Sequence, residues 1–284
     1  MNFSKIGVIG AGIMGTGVAV DLVLNDIDVV LVDVSTSILE KAQAEILKTI
    51  RVAPLLRKTA PKLREADVLK KIHFTTAMKD VSDCQFIIEN VTEDWEIKAA
   101  VYQELDEICA PTVCFGANTS CISITKIASL TKRQEQVIGI HLMNPVYLKD
   151  HVEVIRGFHV VDASIETVNQ FMKQIGKSTI VVSDYPGFVS NRISHLFMNE
   201  AAFVVQDQVA SPEQVDAIFK KCYNHKMGPL ETADLIGLDT VVKSLNVLYE
   251  SYQDSKFRCC PLLQKMVDAG ELGRKTGKGF YKYN

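Results

Sequence analysis

The feature that most constrains the fold is a glycine-rich turn close to the start of the chain. The segment "KIGVIGAGIMGTGVA" begins with an apolar run typical of a buried strand and continues as an apolar helix. Between them, Gly10, Gly12 and Gly15 follow the spacing G-x-G-x-x-G. The first glycine permits the tight turn, the second admits a pyrophosphate close to the backbone, and the third lets the helix pack on the strand. This order predicts a mononucleotide-binding βαβ unit.

The same unit indicates which dinucleotide it binds. The helix N-terminus, where Ile13 and Met14 follow the second glycine, offers free N–H groups and the positive end of the helix dipole to a phosphate. The second strand-like run ends at Asp33, where an acidic side chain can bind both ribose hydroxyls of NAD. Residues 34–37 contain no arginine for the extra phosphate of NADP. The prediction is an NAD site that includes the three glycines, Ile13, Met14 and Asp33.

The remainder of the chain divides into two parts of different pattern. In the first part, helical stretches alternate with strand-like runs such as "CQFIIENV", "TVCFGANTS", "VIGIHLM" and "VEVIRG". This alternation predicts a parallel sheet built from βαβ units. From Arg192 onward few strand-like runs occur, and "SPEQVDAIFKKCY" predicts a helix with Ser211 as N-cap and Gln214 as its capping-box partner. We therefore predict an α/β fold, with an N-terminal Rossmann-like doubly wound sheet over residues 1–184 and an all-α C-terminal domain over residues 185–284.

Composition excludes several other functional classes. The net charge is −3 and the pI is about 6.1, so no excess of basic residues indicates a nucleic-acid partner. No apolar run approaches the roughly 20 residues that a membrane-spanning helix needs. The number of cysteines, seven, is odd and no C-x-x-C occurs, which favours reduced thiols over disulfides or a metal site. We expect a cytoplasmic protein without a structural metal.

Several polar residues lie at or just after the ends of predicted strands. Asn118 and Ser120 follow one strand, His141 ends the next, and Glu153 lies in the strand after that. Asn191 lies at the start of the helical part. Ligands of a doubly wound sheet bind at the carboxyl ends of its strands. These side chains are therefore predicted to converge on one cleft.

The chemistry of hydride transfer from a secondary alcohol to NAD needs these side-chain types. A base must accept the hydroxyl proton, and histidine titrates near neutrality. A carboxylate, Glu153, can hold the other ring nitrogen of His141, and Ser120 and Asn191 can bind the reacting oxygen. Taken singly, His141 could be a structural histidine, Ser120 a helix N-cap and Asn191 a turn residue. Their combination behind a dinucleotide turn favours catalysis.

Seven motifs carry a resemblance that covers nearly the whole chain. They are "IGVIGAGIMG", "NTSCISIT", "GIHLMNPV", "VEVIRG", "PGFVSNR", "MGPLETADLIGLD" and "GRKTGKGFYKYN". In this order and spacing the chain resembles the short-chain 3-hydroxyacyl-CoA dehydrogenases, which include bacterial 3-hydroxybutyryl-CoA dehydrogenases. The resemblance implies an oxidoreductase of fatty acid metabolism that interconverts a 3-hydroxyacyl thioester and the 3-oxoacyl thioester with NAD. It implies His141 and Glu153 as the catalytic pair, assisted by Ser120 and Asn191.

The resemblance also implies further contacts. In "VTEDWEIK", Glu93 and Lys98 are expected to contact the nicotinamide half of NAD, and Asn118 is expected to belong to the same cofactor site. Asn144 is expected beside the active site. The helical domain is expected to close the cleft and to form a homodimer. The helical excursion around residues 51–71, interrupted by Pro54 and Pro61, is expected to help bind the carrier of the acyl group.

Departures from the family pattern cluster between His141 and Glu153. Where the family has P-V-M-K-L, this chain has Tyr147-Leu148-Lys149-Asp150-His151. Lys149 and His151 are either solvated surface residues or part of a polar acyl pocket. The second interpretation yields an alternative function, a dehydrogenase for a polar substrate on an acyl carrier protein, such as hydroxymalonyl in polyketide extender-unit synthesis.

Two other functional interpretations compete with the 3-hydroxyacyl thioester dehydrogenase and its carrier-protein alternative. Dehydrogenases of the 3-hydroxyisobutyrate and 6-phosphogluconate type share a similar glycine motif but use a helical catalytic lysine, for which the sequence has no comparable motif. A catalytically inactive NAD-binding scaffold would not need Ser120, His141, Glu153 and Asn191 together.

Overall fold

The structure, a computed structural model, describes residues 2–283. Its residue contacts separate one compact unit, which ends at Asp184, from a second that begins at Tyr185. The first unit is built on an eight-stranded, mostly parallel sheet with helices around it, and the second is helical. The predicted fold class is confirmed.

The sheet of the first unit has the strand order β3-β2-β1-β4-β5-β6-β7-β8. Neighbouring strands are parallel except β6 and β7, which are antiparallel. The strands are β1 (Lys5–Ile9), β2 (Asp28–Val32), β3 (Ile72–Thr75), β4 (Phe86–Glu89), β5 (Cys114–Ala117), β6 (Val137–His141), β7 (His151–Arg156) and β8 (Ser178–Ser183).

The strand order explains where the site forms. The order reverses at β1, which pairs with β2 on one side and β4 on the other. A crevice for ligand opens at the carboxyl ends of strands at such a reversal. The antiparallel register of β6 and β7 places His141 opposite Glu153 near the same edge. The sheet thus brings the predicted cofactor turn and the predicted catalytic pair to one edge.

Six α-helices accompany the sheet within residues 2–184. They are α1 (Ile13–Leu24), α2 (Thr36–Leu56), α3 (Glu65–Lys70), α4 (Trp95–Ile108), α5 (Ile124–Ala128) and α6 (Asp162–Gln174). The sequence pattern predicted a break at Pro54, but α2 continues through it to Leu56. A proline in the final turn removes only one helical hydrogen bond, so the helix tolerates it there. The core between sheet and helices includes Phe3, Val8, Leu22, Leu31, Phe86, Ile140 and Phe171.

The second unit contains five helices in its described part. They are α7 (Ser190–Gln206), α8 (Pro212–Cys222), α9 (Pro229–Ile236), α10 (Leu238–Tyr252) and α11 (Pro261–Asp268). The capping box predicted at the start of α8 is confirmed, because the Ser211 hydroxyl accepts from the Gln214 N–H and the Gln214 side chain accepts from the Ser211 N–H. Met198, Leu238, Val241, Leu245 and Leu263 are the centre of its core. Across residues 2–283, the structure has no helix with the length and apolar character required to span a bilayer.

Candidate active site

The glycine turn has the geometry that a dinucleotide requires. Gly10 has a φ of +88°, and a Cβ there would lie 2.8 Å from the carbonyl oxygen of Asn90. A Cβ on Gly15 would collide with the carbonyl of Gly10, so α1 packs against the turn only without a side chain. At Gly12 a Cβ would meet no atom within 4 Å, so this position faces open space. The turn therefore leaves room for a phosphate next to the start of α1.

A cavity of about 400 Å³ adjoins this turn. It is lined by Gly10 and Gly12, by Asp33 at the end of β2, and by Asn90 and Val91 after β4. The Asp33 carboxylate accepts a hydrogen bond from the Ala11 N–H at 2.8 Å, which fixes it beside the turn. A carboxylate at the end of the second strand suits the ribose hydroxyls of NAD. The residues present fit the adenosine half of that cofactor.

The imidazole of His141 lies between a carboxylate and a hydroxyl. Its Nδ1 is 2.9 Å from Glu153 Oε2, and its Nε2 is 3.3 Å from Ser120 Oγ. The side chains of His141 and Glu153 are only 6% and 10% exposed. A carboxylate can only accept, so Nδ1 carries the proton and Nε2 is left as the acceptor. The ring is thus held in the tautomer that a general base needs.

The loop that carries Ser120 is held by Glu93. The Oε1 atom of Glu93 accepts four hydrogen bonds, from the Thr119 hydroxyl (2.5 Å) and from the N–H groups of Ser120 (3.1 Å), Cys121 (3.0 Å) and Ile122 (3.4 Å). One carboxylate oxygen therefore fixes three consecutive peptide groups of the loop.

The alternative in which Ser120 caps the following helix is wrong. Helix α5 begins at Ile124, and its N-cap is Ser123, whose hydroxyl accepts from the Lys126 N–H. Asp184 supports this helix start, because its Oδ2 accepts from the Ser123 hydroxyl at 2.8 Å and from the Thr125 N–H at 2.7 Å. Ser120 lies upstream of that helix, with its hydroxyl toward the ring of His141.

Lys98 is buried beneath the same loop. Its side chain is 0% exposed, and its Nζ lies 2.8 Å and 2.9 Å from the two carboxylate oxygens of Glu89, which is also fully buried. Burial raises the pKa of the Glu89 carboxyl, and the Lys98 ammonium acts in the opposite direction. Burial, with a smaller effect of Glu89, raises the pKa of Tyr102. The expected contact of Lys98 with the cofactor stays a prediction.

Two asparagines join neighbouring strand ends. Asn118 Nδ2 donates to Asn90 Oδ1 at 2.8 Å, and Asn118 Oδ1 accepts from the Leu142 N–H at 3.2 Å. Asn118 thereby connects the end of β5 to the residue after His141. Asn144 is exposed and lines a second cavity, of about 540 Å³, together with Gly12 and residues of α1 and α2.

The segment between His141 and Glu153 is held in place by the side chain of Lys177. Lys177 Nζ donates to the carbonyls of Val146 (2.8 Å) and Lys149 (2.6 Å), and pairs with buried Asp21 at 2.9 Å. The side chains of Lys149 and His151 are themselves exposed. The backbone of Lys149 is therefore held in place by Lys177, while the Lys149 ammonium remains in solvent.

Asn191 lies in the second unit, near the start of α7. It is half-buried, and its carbonyl accepts a hydrogen bond from Nδ1 of His195 at 2.9 Å.

The first unit by itself brings together Ser120, His141, Glu153, Glu93 and Asn118. Among residues that the sequence interpretation overlooked, Glu89 had a detectable signal, because it is an acidic residue that ends the apolar run "FII".

Comparison with known proteins places these observations in a family. Residues 5–185 match the family model described as "3-hydroxyacyl-CoA dehydrogenase, NAD binding domain". Residues 187–283 match the family model described as "3-hydroxyacyl-CoA dehydrogenase, C-terminal domain". A probable 3-hydroxybutyryl-CoA dehydrogenase of Deinococcus radiodurans is 44% identical over 98% of this chain and 100% of its own length. A 3-hydroxybutyryl-CoA dehydrogenase of Bradyrhizobium diazoefficiens is 42% identical over 98% of this chain and 95% of its own length.

A solved structure gives the same assignment. The crystal structure of (S)-3-hydroxybutyryl-CoA dehydrogenase from Ralstonia eutropha superimposes with a TM-score of 0.92 at 39% identity and covers 100% of both chains. The resemblance found in the seven sequence motifs is confirmed. Sequence and fold together show that the chain belongs to the 3-hydroxyacyl-CoA dehydrogenase family, with the family's NAD-binding domain followed by its C-terminal domain.

Proposed function

We propose that His141 is the catalytic base of this NAD-dependent oxidoreductase, which interconverts a 3-hydroxyacyl-CoA and the corresponding 3-oxoacyl-CoA. The observation that carries the proposal is the imidazole held between Glu153 Oε2 at 2.9 Å and Ser120 Oγ at 3.3 Å. This arrangement lies in a domain whose glycine turn and Asp33 suit NAD. The inactive scaffold becomes the poorer interpretation, because a scaffold does not require a buried, correctly tautomerised histidine.

In the oxidation direction, Nε2 of His141 accepts the proton of the 3-hydroxyl group as the C3 hydride leaves. NAD supplies the hydride acceptor. Glu153 keeps the proton of Nδ1 in place and stabilises the imidazolium that forms. Ser120, whose hydroxyl is within hydrogen-bond range of Nε2, orients the substrate oxygen toward the ring. In the reduction direction the same imidazolium returns the proton to the ketone oxygen.

Further residues complete the proposal. Gly10, Gly12, Ile13, Met14 and Gly15 hold the pyrophosphate of NAD at the start of α1, and Asp33 binds the ribose. Asn191 assists Ser120 at the substrate oxygen, and Asn144 contributes to the acyl site. These assignments are supported by the family resemblance and, for the glycine turn, by the open space at Gly12.

Replacement of the base tests the proposal. We expect His141→Gln to abolish NADH oxidation with acetoacetyl-CoA, because an amide cannot accept the proton, while the dissociation constant for NADH stays within about twofold of the wild-type value. His73→Gln is the matched control, since His73 also pairs with a carboxylate, Asp80 at 3.0 Å, but is 61% exposed. An unchanged rate in His141→Gln would refute the assigned base.

The carrier of the acyl group is a second question. Lys149 and His151 are exposed. His151 precedes Glu153 by two residues in β7, so the side chains of His151 and Glu153 point to the same face of the sheet. This placement supports a polar acyl pocket and the alternative of a carrier-protein substrate such as hydroxymalonyl. Turnover of acetoacetyl-CoA should be compared with carrier-linked acetoacetyl and dicarboxylic groups. Fast turnover of the CoA ester would exclude the carrier-protein alternative.

We also propose a homodimer formed through residues 185–284 in the cytoplasm. The support for association is a set of exposed apolar side chains on the second unit, of which Val209 is 75%, Tyr223 65% and Ile193 63% exposed. The support for a reducing compartment is that no disulfide joins two cysteines among residues 2–283. Light scattering of the purified chain tests the dimer, and a monomeric mass at micromolar concentration would contradict it.

A further inference from the structure

Residues 142–150, here called the linking segment, connect the strand of His141 to the strand of Glu153. A 3₁₀ turn over Val146–Leu148 occupies the middle of the segment, and Asn144, the residue proposed for the acyl site, precedes that turn. The two ends of the segment are fixed by the antiparallel pairing of His141 with Glu153. Its middle lies outside the sheet, so other contacts must keep it in place.

The side chain of Lys177 supplies the first of these contacts. Its Nζ donates to the carbonyls of Val146 at 2.8 Å and Lys149 at 2.6 Å, and it lies 2.9 Å from Asp21 Oδ2. An ammonium has three N–H donors, so these three oxygens can engage all of them. Because the Lys177 side chain is only 2% exposed, it is a buried cation whose donors are directed at the backbone of the linking segment.

Arg57, the residue that follows α2, makes the second contact. Its Nη1 donates to the Tyr147 carbonyl at 3.3 Å and lies 3.5 Å from Asp21 Oδ1. The Asp21 side chain is 1% exposed, and each of its two carboxylate oxygens faces one of the two cations. Burial raises the pKa of the Asp21 carboxyl, and Lys177 and Arg57 act in the opposite direction. One carboxylate of α1 therefore holds both cations that bind the segment.

Helix α1 also packs directly against the linking segment. Gly17 lies one turn before Asp21 on the same face of α1, and a Cβ on Gly17 would be 3.2 Å from Cγ2 of Val146. Residues 144–147 of the segment form one wall of the cavity of about 540 Å³, and Gly12 lines the same cavity. The position of the segment relative to α1 therefore sets the width of this cavity.

We infer that Lys177 and Arg57 are positioning residues for the acyl thioester, with Asp21 holding the two cations. They fix the backbone of the linking segment against α1, and the segment in turn fixes Asn144. The inference rests on the proposed function, because it concerns the acyl site of that enzyme. The proposed base is held separately, through the pairing of β6 with β7. Loss of either cation should therefore weaken binding of the thioester while the chemical step is retained.

Steady-state kinetics with acetoacetyl-CoA and NADH test the inference. We expect Lys177→Met to raise KM for acetoacetyl-CoA about tenfold, because two carbonyls lose a charged donor, with kcat within about threefold of the wild-type value. The dissociation constant for NADH should stay within about twofold. Arg57→Met removes the donor to a single carbonyl from a side chain that is 24% exposed, and it should raise the same KM about threefold.

Arg133→Met is the matched control. Arg133 is also a buried cation, 7% exposed, that pairs with a carboxylate and donates to backbone carbonyls, those of Ala110 and Cys109. These carbonyls precede β5 and lie outside the linking segment. The control variant should lose stability but keep the wild-type KM for acetoacetyl-CoA.

A double variant separates positioning from compensation of a buried charge. Asp21→Asn combined with Lys177→Met removes both buried charges and should be more stable to heat than Lys177→Met alone. Its KM for acetoacetyl-CoA should stay raised, because the carbonyls of Val146 and Lys149 still lack their donor.

Two results would overturn the inference. The first is a KM for acetoacetyl-CoA in Lys177→Met and Arg57→Met no higher than in Arg133→Met, and Arg57→Met alone decides if Lys177→Met does not fold. The second is a double variant whose KM returns to the wild-type value, which indicates that Lys177 serves only to compensate Asp21.

A binding measurement keeps this test independent of turnover. Acetoacetyl-CoA and NAD are both oxidised and cannot react, so calorimetric titration of the two together gives the dissociation constant of the thioester in every variant. Loss of turnover in His141→Gln tests the proposed base through kcat. Failure of the proposed function and failure of the inference can therefore be told apart.

Discussion

The pair of His141 and Glu153 permits a quantitative prediction for Glu153→Gln. The change keeps the size of the side chain but removes the negative charge that stabilises the imidazolium formed during hydride transfer. Two unit charges 2.9 Å apart attract by about 6 kcal/mol at an effective dielectric constant of about 20, which sets an upper limit. Part of this energy is retained, because the amide oxygen can still accept from Nδ1. Loss of one partner of a buried pair costs about 3–5 kcal/mol.

At 1.36 kcal/mol per tenfold change, this energy lowers kcat by about 150-fold to 5000-fold. An amide that flips and donates to Nδ1 would also remove the base, because the proton would then lie on Nε2. The assay is steady-state NADH oxidation with acetoacetyl-CoA, and KM for NADH is expected to stay within about twofold. Asp80→Asn is the matched control, since Asp80 is 3.0 Å from the exposed ring of His73. A decrease in kcat of less than about fivefold in Glu153→Gln would refute the reasoning.

Three further predictions concern the cofactor and the stability of the first unit. Asp33→Asn should raise KM for NADH about tenfold and reduce discrimination against NADPH, because a charge-assisted hydrogen bond to the ribose is lost. An unchanged ratio of KM for NADPH to KM for NADH would contradict the assigned ribose contact. Arg133→Met should lower the free energy of unfolding by about 3–5 kcal/mol, because Arg133 Nε binds the buried carboxylate of Asp106 at 2.7 Å. Arg64→Met breaks an exposed pair of the same 2.7 Å length and should leave the melting temperature unchanged. Equal losses of unfolding free energy for the two variants in urea denaturation would show that burial of the pair is irrelevant. Burial raises the pKa of the Cys84 thiol from 9.0 to about 12, so above about pH 9 the folded chain keeps a thiol proton that the unfolded chain loses. The free energy of unfolding should therefore fall as the pH rises from 9 toward 12, and it should fall less steeply in Cys84→Ala. Parallel curves for the two proteins would exclude this thiol as the cause.

Sequence patterns were informative where a residue's task is local. The glycine spacing requires a turn of one geometry, and the structure shows a positive φ at Gly10 and no space for a Cβ at Gly15. The capping box at Ser211 is equally local, since donor and acceptor lie three residues apart. The pattern of alternating strands and helices, however, predicted a parallel sheet throughout. The antiparallel β7 was missed, although the short connection of residues 142–150 cannot hold the crossover that parallel strands need.

The sequence by itself determined the fold class, the dinucleotide turn and the family, because these depend on spacing along the chain. The tertiary structure decided which side chains meet. It placed Glu93 against the Ser120 loop and buried Lys98 on Glu89, although all four residues lie on different elements or loops. Such contacts follow from the order β1-β4-β5-β6, which makes neighbours of strands far apart in sequence. In a buried site each polar group must find a partner, and only the assembled sheet determines which partner is within reach.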